Sequence, residues 1–154
     1  MTAVRIIEAS PNDPAAVRLL DALSDALSAI TGDDGRASFD PAQADESGSV
    51  FLLALDGTDQ PVGCGVLRPL AEGVGEIKRM YAAPGTKGVG AALLAALGAE
   101  AERLGYATLK LSTRRVNHRA VDFYRRQGWS ETDPFGRYVG RPESICMARV
   151  ISPR

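Results

Sequence analysis

The stretch GEIKRMYAAPGTKGVGAALLAAL, residues 75–97, constrains the fold more than any other part of the chain. It begins inside a strand candidate, residues 73–82, in which Ile77, Arg79 and Tyr81 share one face and Glu76, Lys78, Met80 and Ala82 the other. Pro84 closes the strand, Gly85, Gly88 and Gly90 follow, and residues 90–105 read as a helix. Leu93, Leu97, Ala101 and Leu104 lie on one side of that helix, and Gly105 is a natural stop. A strand, a glycine turn and a helix in succession make the first half of a crossover to a parallel strand. The N–H groups of the first helical turn have no intrahelical partner and carry partial positive charge. Glycine lets an anion approach them, and Lys87 adds a charge to the same turn. The same glycines would also serve a tight turn with close helix–sheet packing, and by themselves they do not decide between the two. No GxxxxGK[ST] sequence occurs and no GxGxxG follows the first strand, so neither a Walker loop nor a dinucleotide fingerprint is present.

The rest of the chain supplies the partners for this unit. VRIIEAS (residues 4–10) is a short strand candidate, and residues 11–30 form a helix candidate with Val17, Leu20, Leu23, Leu27 and Ile30 on one face and Pro14 near its start. Residues 31–49 are polar and punctuated by glycine and proline, which predicts a long loop or a loop with a short helix. VFLLALD and VGCGVLR, joined by GTDQP, predict a hairpin. YATLKLST is a strand, NHRAVDFYRRQG is a helix capped by Asn117 and closed by Gly128, and ESICMARVI is a last strand. The order is β-α-β-β-β-α-β-α-β, with room for one more strand. It predicts an α/β chain whose mixed sheet has antiparallel hairpins first and parallel neighbours after the crossover helices.

A chain of 154 residues without repeats or linkers is expected to be one domain, spanning 1–154. Its net charge of -1 argues against a nucleic-acid binder, although a local basic patch for a small anion is compatible with it. Cys64 and Cys146 are far apart in apolar stretches, and no Cys/His cluster offers a metal site. Buried free thiols are the plainer reading, with a disulfide still open. The N-terminus lacks the features of a signal peptide, and no apolar run is long enough to span a membrane. A soluble, cytoplasmic protein is expected.

From GEIKRMYAAPGTKGVGAALLAAL through NHRAVDFYRRQGW the chain resembles the GNAT family, the GCN5-related N-acetyltransferases. The family loop has the form Arg/Gln-x-x-Gly-x-Gly/Ala, and GVGAALL (residues 88–94) matches its Gly-x-Gly and the leucines behind it. The family's Asn-x-x-Ala-x-x-x-Tyr-x-x-x-Gly-Phe segment is matched by Asn117, Ala120, Tyr124, Gly128 and Trp129. The resemblance follows the element order of the whole chain and is strongest from Gly63 to Trp129. GCGVLR, EIKRMY and FGRYVGRPESICM look most like small bacterial members. One departure stands out. Only GTK separates Pro84 from Gly88, about two residues fewer than the family's usual loop, and Gly85 stands where the family has Arg or Gln.

The resemblance implies the GNAT fold, acetyl-CoA as cosubstrate without a metal, and acetyl transfer to a primary amine by direct attack in a ternary complex. It implies that Glu76 is the general base, or else a strand glutamate paired with Lys78. Tyr124 is the acid for the leaving sulfur, and the Met80 N–H polarises the thioester. Met80, Tyr81 and Ala82 would hold the pantetheine arm, with Lys87, Gly88, Val89, Gly90 and Ala91 around the pyrophosphate. Asn117 would cap its helix, contact the pantetheine, or both. His118 reads as solvent-facing. Arg114, Arg115, Arg119, Arg125 and Arg126 read mainly as a solvated face, with one or two in reach of the CoA 3′-phosphate. Trp129, Phe135, Tyr138 and Phe39 are either acceptor-pocket or core aromatics. The acceptor would meet GDDGR and DPFGRYVGRP, and Asp33 and Asp34 would favour a cationic one. A homodimer is in keeping with the family. The shortened loop keeps a second reading open, a non-catalytic acyl-CoA-binding sensor or partner domain, ahead of an ATP-binding one.

Overall fold

The structure is a computed structural model and describes residues 4–151. Seven strands form one sheet in the order β1-β2-β3-β4-β5-β7-β6. They are β1 Arg5–Glu8, β2 Val50–Leu55, β3 Pro61–Ala71, β4 Val74–Ala82, β5 Thr108–Arg114, β6 Ser130–Thr132 and β7 Ser144–Val150. Three helices cover it, α1 Pro14–Thr31, α2 Val89–Arg103 and α3 His118–Arg126. The β2 run VFLLAL is buried at every residue because both faces of the sheet are covered. On one side Phe51, Leu53, Cys64 and Val66 pack with Ala16 and Leu19 of α1. On the other, Val50, Leu52 and Ala54 join Leu93, Leu97 and Ala101 of α2 and Val121 of α3.

Residues 31–49 form a loop with two short 3-10 turns, Arg36–Ser38 and Pro41–Asp45, in keeping with the sequence. Sequence expectation and structure part in three places. On α1 the buried residues are Ala16, Leu19, Leu23 and Ser24, whereas Val17 and Ile30 are 42% and 49% exposed. The helix carries two adjacent leucine stripes, and packing against Phe51 and Val66 selects the one through Leu19 and Leu23. Only β4 and β5 are parallel neighbours. After α3 the chain enters the edge strand β6 and returns as β7 between β6 and β5, so β7 runs antiparallel to both. The strict alternation along β4 also fails, for a reason that shapes the active site.

Candidate active site

Between Lys78 and Tyr81 the strand β4 carries one residue more than its partner. Val66 pairs with Lys78 and Cys64 with Tyr81, so Arg79 and Met80 together face the single Gly65. Such a bulge leaves backbone groups out of the ladder and reverses the side-chain parity beyond it. Ile77 and Met80 therefore both pack on the α2 side, while Tyr81 packs with Cys64 on the α1 side. The expected grouping of Ile77 with Tyr81, and of Met80 with Glu76 and Lys78, is corrected by this one extra residue. Arg79 takes φ +54°, a left-handed conformation that is costly for a residue with a Cβ. Its guanidinium is held by Ser24 Oγ at 2.7 Å, the Leu20 carbonyl at 3.1 Å and the Asp34 carbonyl at 3.3 Å. The Cys64 thiol donates to the Arg79 carbonyl at 3.5 Å from inside the sheet.

The parallel ladder of β4 with β5 ends at Glu76 opposite Lys110. Beyond it a cleft of about 160 Å³ opens between the two strands, lined by Met80, Ser112, Asn117, Tyr124 and Tyr138 among others. Arg79 and Met80 have no register partner on either neighbouring strand, so the ladder is interrupted at this cleft. Clefts at the carboxyl ends of parallel strands are where open α/β sheets bind ligands. Two helix N-termini follow those strand ends. The α3 start is capped, because Asn117 Oδ1 accepts from the Ala120 N–H at 3.3 Å. The α2 start is not: its N-cap is Gly88 at φ +74°, without a side-chain cap bond. The N–H groups of Val89, Gly90 and Ala91 are thus left for an external acceptor, which fits a pyrophosphate.

The remaining predicted residues fall around these features. Lys87 and Ala82 are exposed, while Val89 is 3% exposed and can offer only its backbone. Gly90 has a packing role, since a Cβ there would meet Phe123 Cζ at 3.2 Å. The two readings of the glycine turn thus apply to different glycines. Tyr124 is 8% exposed, packed edge-on against Phe123 and Trp129, and burial raises its phenol pKa above the usual tyrosine range. His118 is exposed, as expected.

Glu76 is 3% exposed and lines a second cavity of about 330 Å³ beside the cleft, with Arg68, Lys78, Phe39, Phe135 and Tyr138. Arg68 sits directly across the β3–β4 ladder and reaches Glu76 Oε1 at 3.1 Å, and Lys78 Nζ lies 3.5 Å from Oε2. Lys78 also donates to the Ser38 carbonyl at 2.6 Å and to Tyr138 Oη at 3.2 Å, so it joins both loops that roof the site. Burial pulls its ammonium pKa down, with Glu76 opposing, and burial pushes the Tyr138 phenol up to about 12. The pairing of Glu76 with Lys78 is therefore real. Phe39, Phe135 and Tyr138 line this cavity, whereas Trp129, 3% exposed, belongs to the core. Asp33 is paired with Arg114 at 2.8 Å and Asp34 with Arg36 at 2.9 Å, so each of these acids has a basic partner. Arg68, Arg79 and Ser24 were not singled out by the sequence. Arg68 could have been found from the hairpin register, which sets it opposite Glu76.

A strand bulge thus lies where the parallel ladder ends, beside a glycine-led helix start without a side-chain cap. The chain belongs to the family described as "Acetyltransferase (GNAT) family", whose match covers residues 16–129. It is 32% identical over 155 residues to the IAA acetyltransferase of Azospirillum brasilense, covering 98% of this chain and 100% of that protein. A solved candidate acyl-CoA N-acyltransferase from Klebsiella pneumoniae superposes with TM-score 0.80 at 29% identity over 96% of this chain and 97% of that one. The PaiA N-acetyltransferase of Thermoplasma acidophilum, solved with coenzyme A, shares the fold with TM-score 0.72 at 17% identity over 96% and 99% of the two chains. The protein is an acetyl-CoA-dependent acetyltransferase, and the non-catalytic and ATP-binding readings give way. No helix among the described residues is long and apolar enough to cross a membrane.

Proposed function

We propose that the protein transfers the acetyl group to a primary amine, on a small molecule or an amino terminus, by direct attack in a ternary complex. The observation that carries this reading is the cleft itself, which brings the bulged backbone at Met80 and Tyr124 to one opening. Acetyl-CoA supplies the activated thioester. The first-turn N–H groups of α2 hold its pyrophosphate, with Lys87 nearby. The Met80 N–H polarises the thioester carbonyl as the amine nitrogen forms the new C–N bond. Tyr124 gives its proton to the sulfur as the C–S bond breaks. Burial raises the phenol pKa, so Tyr124 enters the reaction protonated. Glu76 takes the proton of the amine through a water in the acceptor cavity, and Arg68 and Lys78 fix its position. Among the carboxylates lining that cavity, Asp40 has an oxygen engaged by the Ala42 N–H. Cys64 is 0% exposed, its thiol pushed up to about 12 by burial, which fits direct attack rather than a cysteine-bound acetyl.

The test is mass-spectrometric analysis of acetyl-CoA reactions with a panel of amines. N-acetylated products formed in step with free CoA thiol are expected. Thiol release without any N-acetyl product would overturn the reading.

A further inference from the structure

Building on the amine-acceptor reading, we propose that the acceptor also carries an anionic group, a carboxylate or a phosphate, and that Arg137 and Arg141 receive it. The acceptor end of the cleft is closed by the 3-10 turns Arg36–Ser38 and Gly136–Tyr138, bridged by Lys78. Cavities of about 330 and 130 Å³ lie on either side of this bridge, and Arg137, Ser38 and Tyr138 line both. Arg141 lines the smaller one, together with Ser112 and Thr113.

The charges around these cavities sort into pairs, with Arg137, Arg141 and Asp40 left over. Arg68 faces Glu76 and Glu46, Lys78 faces Glu76, and Arg114 faces Asp33. Asp40 lines the larger cavity, but one of its oxygens caps the turn Pro41–Asp45. Among the described residues Arg137 and Arg141 make no ion pair. The Arg137 guanidinium lies 5.9 Å from the Tyr138 ring centroid, and the Arg141 backbone N–H donates to the Tyr138 carbonyl at 3.1 Å, which places that residue beside the same turn. Two guanidinium groups without counter-ions, at the mouth of cavities whose other cations are matched, form a receptor for an anion. A purely cationic amine would meet repulsion there instead.

Two arms test this. In the first, kcat/KM is compared within pairs of amines that differ by one anion, alanine against alaninamide and phosphoethanolamine against ethanolamine. The acidic member is expected to lead by about tenfold or more, and Arg137→Ala or Arg141→Ala to shrink that ratio through KM. The pair with the larger ratio tells carboxylate from phosphate. In the second arm, N-acetylalanine and N-acetylalaninamide are titrated into the CoA-saturated protein, which needs no turnover. Tighter binding of the carboxylate, lost in Arg137→Ala, supports the subsite even if no amine is acetylated. Equal binding of the two, or of neither, overturns it. Turnover without preference for the acidic member overturns the subsite while leaving amine transfer intact.

Discussion

The Arg79 guanidinium donates to the hydroxyl of Ser24 at 2.7 Å, and this bond fastens the bulge of β4 to the buried face of α1. Ser24 is 0% exposed, so the pair satisfies two polar groups that water does not reach easily. The same arginine accepts a left-handed backbone at φ +54°, and its three hydrogen bonds offset that cost. The shape of the cleft thus depends on a side chain tied to α1.

Replacing Arg79 separates these effects. Arg79→Ala keeps the backbone strain and leaves the buried Ser24 hydroxyl without its arginine partner, a loss of about 1–3 kcal/mol. Arg79→Gly loses the same bonds but relieves about 1–2 kcal/mol of left-handed strain. Thermal unfolding should rank wild type above Arg79→Gly and Arg79→Gly above Arg79→Ala. An alanine variant as stable as wild type would contradict the tether.

Two glycines of the turn should fail differently. Gly88→Ala places a Cβ at φ +74° with nothing against it, so strain falls on the helix start and acetyl-CoA binding weakens. Gly90→Ala pushes on Phe123 at 3.2 Å and should lower the unfolding temperature more than it alters binding. Calorimetric titration and thermal melts of both variants check the division.

Alkaline pH should erode stability through Cys64. Its folded pKa, pushed up to about 12, lies above the free value of 9.0. Between those values the folded state keeps a proton that the unfolded chain releases, so the contribution is full below pH 9 and is lost as pH rises toward 12. Tyr138, raised from 10.0 to about 12, acts with the same sign at higher pH. Lys78, lowered by burial, acts with the opposite sign below its free value of 10.5. The difference between wild type and Cys64→Ala isolates one group. Urea midpoints of the two proteins should converge as pH rises from 9. A constant gap would contradict the buried thiol.

Glu76→Gln tests base against strut. It leaves Arg68 and Lys78 without their shared carboxylate, and breaking such a buried pair costs about 3–5 kcal/mol. A purely structural role would lower stability and leave the pH profile of kcat/KM unchanged. The proposed base removes its acid limb as well.

The frame of this molecule was legible because its signals are local. Asn117 and Gly128 bound α3, Gly105 ends α2, and the Gly-x-Gly pattern marks the turn where the cleft begins. What escaped depends on contacts between segments distant in sequence. The period of β4 changes at Arg79 because of its register with Cys64 and Val66, which no window on β4 alone reveals. The buried stripe of α1 is chosen by Phe51 and Val66. Asp33 and Asp34 look like free acids in the sequence, yet Arg114, 81 residues from Asp33, neutralises one of them. The bridge from Lys78 to Ser38 and Tyr138 spans 40 and 60 residues and closes the cavity beside Glu76.

The most direct test is Tyr124→Phe, measured by acetyl-CoA binding and by turnover with the best amine of the panel. Removing one hydroxyl from a packed ring should leave micromolar binding, about -8 kcal/mol, unchanged. Turnover should fall by about 10²- to 10⁴-fold, the usual worth of a placed general acid. Unchanged binding with wild-type turnover would contradict the account and move the proton donor elsewhere in the cleft.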